Sequence, residues 1–197
     1  MTIGALEAGG TKMVLAAFDE TGKELERMTI PTEEPAVTMP PMQQFFDRWK
    51  IDALGVGSFG PLDPNPDSPS YGYITSTPKL KWKDYPLLPE LLQGKNIPAA
   101  IDTDVNAAAL AELEMGAAKG CSNVVYVTVG TGIGGGVMQR EGLFPLVRQE
   151  TLRLLGGYVQ SDRLLNHTDD YIVPPALYPV SGLWGAYLLG KKALENA

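Results

Sequence analysis

Apolar residues run together at positions 3–7 and 13–18, and a short Gly-rich bend separates the two runs. A polar turn follows at 19–23, and residues 24–30 then alternate apolar with polar or charged positions. Runs of this length bounded by turn residues predict three antiparallel strands in a meander. PTEEPAVTMPP reads as a Pro-broken loop, and MQQFFDRW as a helix with two prolines near its start. Residues 51–57 (IDALGVG) predict a buried strand. SFGPLDPNPDSPSYGYITSTPK is too rich in Pro, Ser and Asp for core structure and predicts a long loop of the kind that often carries function. Beyond it, 86–93 predicts a short helix and 98–102 (PAAID) a short strand. Residues 105–119, rich in Ala, Leu and Glu, predict the best helix of the chain, closed by Gly120. Residues 123–129 predict a strand that runs into GTGIGGG. The stretches 143–155 and 180–197 predict helices, with YIVPP as a short strand between them.

One internal echo organises this pattern. IGALEAGGTKMVLAAF and VVYVTVGTGIGGGVMQ share an apolar strand, a Gly-rich turn containing Thr, and a second strand. Weak repeats of this kind predict two related half-units.

Composition narrows the function classes. With 197 residues and 44% hydrophobic content the chain can bury a core, and 20% charged residues is ordinary for a soluble protein. The formal net charge is −7 and no basic cluster is present, which argues against nucleic acid or an anionic membrane as partner. Cys121 is the single cysteine, so neither a disulfide framework nor a thiolate zinc cluster can be built, and a cytoplasmic setting is expected. No stretch is long enough for a membrane helix, and no signal peptide is visible ahead of the first strand.

The candidate chemistry sits in the Gly-rich bends and at one helix start. Gly9 and Gly10 let backbone amides approach an anion, Thr11 adds a hydroxyl, and Lys12 adds charge. The same bend serves equally well as a plain hairpin turn. In the second bend glycine fills 130, 132, 134, 135 and 136, with Thr131 among them, more than a turn requires. Two such bends at equivalent points predict phosphates gripped from both sides of a cleft. Asp104 lies where PAAID ends and the long helix begins, the end of an open sheet where ligands gather. There it could take a proton from an attacking hydroxyl. Asp102, Thr103 and Asp104 are also good helix caps, and capping is the commoner role. Glu7 either positions a metal-bound water or ends its strand, and Asp63 and Lys79 either contact a polyol or are solvated. His167 has no nucleophile or ligand spacing around it and reads as a surface residue.

EAGGTK, GSFGPLD, YGYITSTPK, DTDVNAAALAE and VYVTVGTGIGGG together resemble the ROK family of sugar kinases and repressors, its bacterial fructokinases foremost. The likeness runs almost continuously over residues 1–136. It implies an α/β fold of the ribonuclease H-like type shared by actin, hexokinase and Hsp70 ATPases. It further implies a complete N-terminal lobe over 1–120 and a shortened second lobe over 121–197 with a C-terminal helix. The implied activity is ATP- and Mg²⁺-dependent phosphorylation of a hexose 6-hydroxyl, most readily fructose to fructose 6-phosphate, by a homodimer. By resemblance Gly9, Gly10, Thr11 and Lys12 match the first phosphate loop. Thr131, Gly132, Gly134 and Gly135 match the second. Asp104 matches the general base, and Gly60, Pro61, Tyr71 and Thr77 lie in the sugar-side loop. No protein side chains are assigned as metal ligands. Here GTGIG runs directly into GGGVM, where the family has a long intervening segment with a sugar-contacting His and a His/Cys zinc site. The likeness resumes near the C-terminus, so the family zinc site is expected to be absent and most of the second domain removed. The alternative function is a catalytically dead deletion form that only binds sugar or nucleotide. A repressor is disfavoured, because no helix-turn-helix precedes EAGGTK.

Overall fold

In a computed structural model, which describes residues 1–122, 124–129, 133–136, 143–156 and 161–197, the centre of the fold is a five-stranded sheet. Its strands are β1 (Thr2–Ala8), β2 (Lys12–Asp19), β3 (Glu24–Pro31), β4 (Ala53–Ser58) and β5 (Ala99–Thr103), in the order β3-β2-β1-β4-β5. β1, β2 and β3 form the expected antiparallel meander, with Ala8 opposite Met13 at the first turn. β4 and β5 run parallel to β1, with Glu7 beside Gly57 and Gly57 beside Asp102.

Two layers of helix cover this sheet and explain its burial. α1 (Pro35–Trp49) and α2 (Leu87–Leu92) pack on one face over Leu6, Met13, Leu15, Leu54 and Val56. α7 (Ser181–Glu195) packs on the other through Leu183, Ala186 and Tyr187, against Ile3, Ala5, Val14, Ala16 and Phe18. Alternate side chains of a strand point to opposite faces, so a strand covered on both sides carries apolar residues throughout. β4 is buried along its whole length, whereas the edge strand β3 alternates between half-buried and exposed.

The long helix α7 lies unusually near the sheet. A Cβ on Gly55 would collide with the Ala186 carbonyl oxygen, and one on Gly185 with that of Ala107. Glycine on the strand and on the helix is therefore what lets α7 wedge between β4 and α3 (Asp104–Glu114).

Several elements differ from the pattern-based expectation. α1 begins at Pro35, so most of the proposed Pro-broken loop is helix and Pro40 and Pro41 lie inside it. The prolines leave the Ala36 and Val37 carbonyls without their helical donors. Burial of Thr38, Met39, Met42, Phe45 and Phe46 on one stripe outweighs that loss. α3 stops at Glu114 rather than 119, because the Glu112 carboxylate captures the Ala117 amide at 2.8 Å and turns the chain. Residues 124–127 are not in a strand. Strand structure there is confined to β6 (Thr128–Val129), paired with β7 (Ile133–Gly136). YIVPP is not a strand either: Tyr171 closes the short helix α6 (Thr168–Tyr171), and Pro174 and Pro175 lack the amides a ladder needs. α4 (Leu143–Leu155) and α7 fall where expected, and α5 (Asp162–Leu165) is a single turn between them.

Candidate active site

The bend between β1 and β2 is a hairpin turn whose Gly9, Thr11 and Lys12 carbonyls are spoken for. Gly9 N–H donates to Lys12 O at 2.9 Å, Thr32 N–H to Thr11 O at 2.9 Å, and the Thr32 hydroxyl to Gly9 O at 2.7 Å. Among the described residues the amides of Gly10 and Thr11 have no acceptor, and Gly10, Thr11 and Lys12 are exposed. The plain-turn reading and the anion-cradle reading are thus compatible. The loop is braced from behind and presents donors in front.

Asp104 is the first residue of α3, at the C-terminal end of the parallel pair β4–β5. It does not cap the helix. That role falls to Thr103, whose Oγ1 accepts the Asn106 amide at 3.1 Å. Asp102 is occupied as well, accepting from Thr103 N–H at 2.7 Å and from Asn106 Nδ2 at 2.8 Å. The competing structural role is filled by its neighbours. Asp104 holds only local bonds, from the Val105 amide at 2.9 Å and from its own amide. Its half-buried position pushes the carboxyl above its ordinary range, a shift that hydrogen bonds to the Val105 amide and its own amide partly offset.

Glu7 stands on the adjacent strand at the same end of the sheet. Burial raises its carboxyl, the nearby Lys12 ammonium opposes that rise, and the Asp104 charge adds to it. A Cβ on Gly182, at the start of α7, would lie 2.6 Å from Glu7 Oε1. Asp104, Glu7 and Lys12 thus share one electrostatic neighbourhood beside the turn. Behind them, Glu112 is 2% exposed and gathers the Ala176 and Leu177 amides, each at 2.9 Å, and the Ser181 hydroxyl at 2.8 Å. This anchors the start of α7 to α3.

The long segment after β4 is pinned rather than loose. It leaves the sheet through Phe59 N–H to Ala8 O at 2.8 Å and the cis Gly60–Pro61 peptide. Leu62, Ile74 and Tyr85 form a small ladder, and the Pro61 carbonyl accepts the Thr75 amide at 2.8 Å. Ile74 and Trp82 are fully buried in this segment, with Trp82 Nε1 donating to Glu33 O at 2.7 Å. Tyr71 lies against β5: burial raises its hydroxyl, a bond with the Ile101 backbone lowers it, and the Asp102 charge raises it. Thr77 is buried, and its Oγ1 accepts the Lys79 amide at 3.3 Å. Asp63 is held below its ordinary range by the Ser68 and Ser70 hydroxyls and the Asn65 amide, so it organises its own turn. His167 is exposed, with Nε2 3.8 Å from Asp162.

Of the second Gly-rich bend, Gly134 and Gly135 lie in β7, while Thr131 and Gly132 fall outside the described residues. Among the described residues no cluster of three or more His, Cys, Asp or Glu is placed to hold a metal, and no helix is long and apolar enough to cross a membrane. Sequence reasoning missed two arrangements at this site, the Glu112 anchor and the position of Lys79 against Gly10. Both join residues far apart along the chain, and nothing in local patterning marks them.

Sheet order and the helix layers on both faces define an α/β protein with the actin-like ATPase fold. The ROK family model matches residues 3–144, and the chain belongs to the ROK family. It is 46% identical over 144 residues to a fructokinase of Pediococcus pentosaceus, covering 73% of this chain and 50% of that protein. It is 45% identical over 136 residues to a putative fructokinase of Bacillus subtilis, covering 69% and 46% respectively. The chain therefore spans about half the length of the curated relatives it matches. Among solved structures, a ROK hexokinase from Thermus thermophilus superposes with a TM-score of 0.67 at 20% identity over the full length of both chains, which speaks to the fold. A ROK glucokinase from Streptomyces griseus, in complex with glucose and AMPPNP, gives 0.56 at 25% identity over 71% of this chain and 46% of that one.

Proposed function

We propose that this chain carries the sugar-phosphorylating centre of a ROK kinase, transferring a phosphoryl group from ATP to the 6-hydroxyl of a hexose, fructose foremost. The observation that carries this reading is Asp104: a half-buried carboxylate released from capping by Thr103, with its proton affinity raised by burial, at the strand ends. Asp104 takes the hydroxyl proton as the sugar oxygen bonds to phosphorus, and the bond from phosphorus to the bridging oxygen breaks with ADP as leaving group. The Gly10 and Thr11 amides and Lys12 meet the phosphate charge at the turn. With Gly9 they make the first phosphate loop. The second loop is assigned to Thr131, Gly132, Gly134 and Gly135. The cis Gly60–Pro61 corner, Tyr71 and Thr77 shape the sugar side.

Mg²⁺ supplies charge neutralisation on the phosphates in such reactions. Its usual mode of one or two carboxylates plus phosphate oxygens would be met here by Glu7 beside the turn, leaving Asp104 free as the base. The names of the relatives favour fructose over other hexoses. A division near residue 120 into a first lobe and a second belongs to the same reading, with α7 returning to the first sheet. So does a homodimer in the cytoplasm, for which the exposed Val125, Val127, Leu146 and Leu154 supply apolar surface.

The test is an ADP-release assay on the chain with fructose, glucose, mannose and no sugar, with the product's phosphate position read by phosphorus NMR. Sugar-dependent ADP release with phosphate on the 6-oxygen, greatest with fructose, is expected. ADP release that ignores the sugar, or none with any sugar, overturns the reading.

A further inference from the structure

Lys79 is separated from the Gly-Gly turn by most of the lobe in sequence, yet it lies against that turn in space. A methyl group placed on the Gly10 Cα would stand 3.5 Å from Lys79 Cε, with the ammonium one bond further on. The backbone around Lys79 is held on both sides. Its amide donates to the buried Thr77 hydroxyl at 3.3 Å, and its carbonyl accepts the Trp82 amide at 2.7 Å. Trp82 is itself fixed, 1% exposed and tied to Glu33, with Phe59 packed on its ring at 5.9 Å. Although Lys79 is half-buried, its ammonium has no carboxylate partner among the described residues. Lys81, two positions on, differs: it is more exposed and pairs with Glu34 at 3.7 Å.

A cation held over a turn whose Gly10 and Thr11 amides lack acceptors among the described residues completes an anion site that the turn alone begins. We propose that Lys79, from the sugar-side segment, reaches across Gly10 to contact the phosphates of the bound nucleotide, linking occupancy of the sugar loop to the phosphate loop. This rests on the phosphoryl-transfer reading above and adds a residue to it. Lys79 thereby acts on the triphosphate rather than on a polyol. Its stem runs beside Gly10, close enough that a methyl group at position 10 would meet Lys79 Cε in ordinary van der Waals contact.

The experiment measures ATP and inorganic tripolyphosphate binding by calorimetry on the whole chain, for wild type and for Lys79→Met, Lys79→Arg and Lys81→Met. Lys79→Met keeps the apolar stem on Gly10, and a thermal melt of each variant reports folding. Affinity is expected to fall roughly 10- to 100-fold in Lys79→Met, the range for one lost charged hydrogen bond. Lys79→Arg should restore most of it, and Lys81→Met should bind as wild type does. The salt dependence of binding should also flatten in Lys79→Met alone, which a packing role would not cause. If wild type binds and Lys79→Met binds equally well, or Lys81→Met is weakened as much, this proposal is overturned and the kinase reading stands. If wild type binds neither compound, the phosphate-site reading fails and takes this proposal with it.

Discussion

Replacing Glu112 with Ala removes the acceptor shared by four donors. The Ala117, Ala176 and Leu177 amides and the Ser181 hydroxyl all reach its two oxygens at 2.8–2.9 Å, in a site 2% exposed. Each buried donor left without an acceptor costs about 1–3 kcal/mol. Water entering the void recovers part of that sum, so a net loss of roughly 3–5 kcal/mol is expected, in line with broken buried polar networks. For a chain of 197 residues this corresponds to a fall in Tm of about 10 °C, at ~2–4 °C per kcal/mol. Far-UV circular dichroism melts and urea titrations read both quantities. Glu112→Gln should lose a large part of the same amount, because its NH₂ would face donors. The loss is also pH-dependent. Burial works to raise the Glu112 carboxyl, and its four hydrogen bonds outweigh that and hold it below its ordinary 4.5. A depressed folded-state value adds stability that is fully present above the unfolded value and is lost as pH falls through the lower, folded one. The gap between wild type and Glu112→Gln should therefore narrow below about pH 4.5. An Ala variant melting within about 2 °C of wild type, less than one kcal/mol on this scale, would show that Glu112 does not clamp α3 to the start of α7.

Gly55→Ala drives a methyl into the Ala186 carbonyl, so α7 must lift from β4; destabilisation of about 1–3 kcal/mol is expected for such overpacking, read by urea titration. Glu7→Gln should behave in the opposite sense. The Glu7 carboxyl is raised by burial, with Lys12 opposing and Asp104 adding, so its ionised form weakens the fold at neutral pH. Melts should show Glu7→Gln at or above wild type near pH 7, with the difference vanishing as pH falls below the ordinary 4.5 and both side chains become neutral.

The chain's apolar runs located β1, β2 and β4 because a strand covered on both faces has no polar positions to confuse the reading. α1 was half-hidden because Pro40 and Pro41 are strong local stop signals, and the opposing force, burial of Met39 and Met42 on the sheet, is tertiary. The end of α3 was misplaced for a related reason: its terminator is a side chain, Glu112, which accepts the Ala117 amide just beyond the helix and is held in place by the Ala176 amide from a distant segment. At the site, Asp104 was visible by its place after PAAID, but three capping candidates in a row made its role ambiguous until Thr103 took the cap. Lys79 carries no local signal, since its meaning comes from meeting Gly10 across the fold.

Asp104→Asn, assayed for hexose-dependent ADP release beside the wild-type chain, tests the central claim most directly. The amide keeps the bond from Val105 N–H available but cannot accept the hydroxyl proton. Turnover should fall by roughly 10²-fold or more, the contribution typical of a positioned base, while calorimetry shows ATP still bound. A variant that turns over within a few-fold of wild type would contradict the assignment of Asp104 as the base.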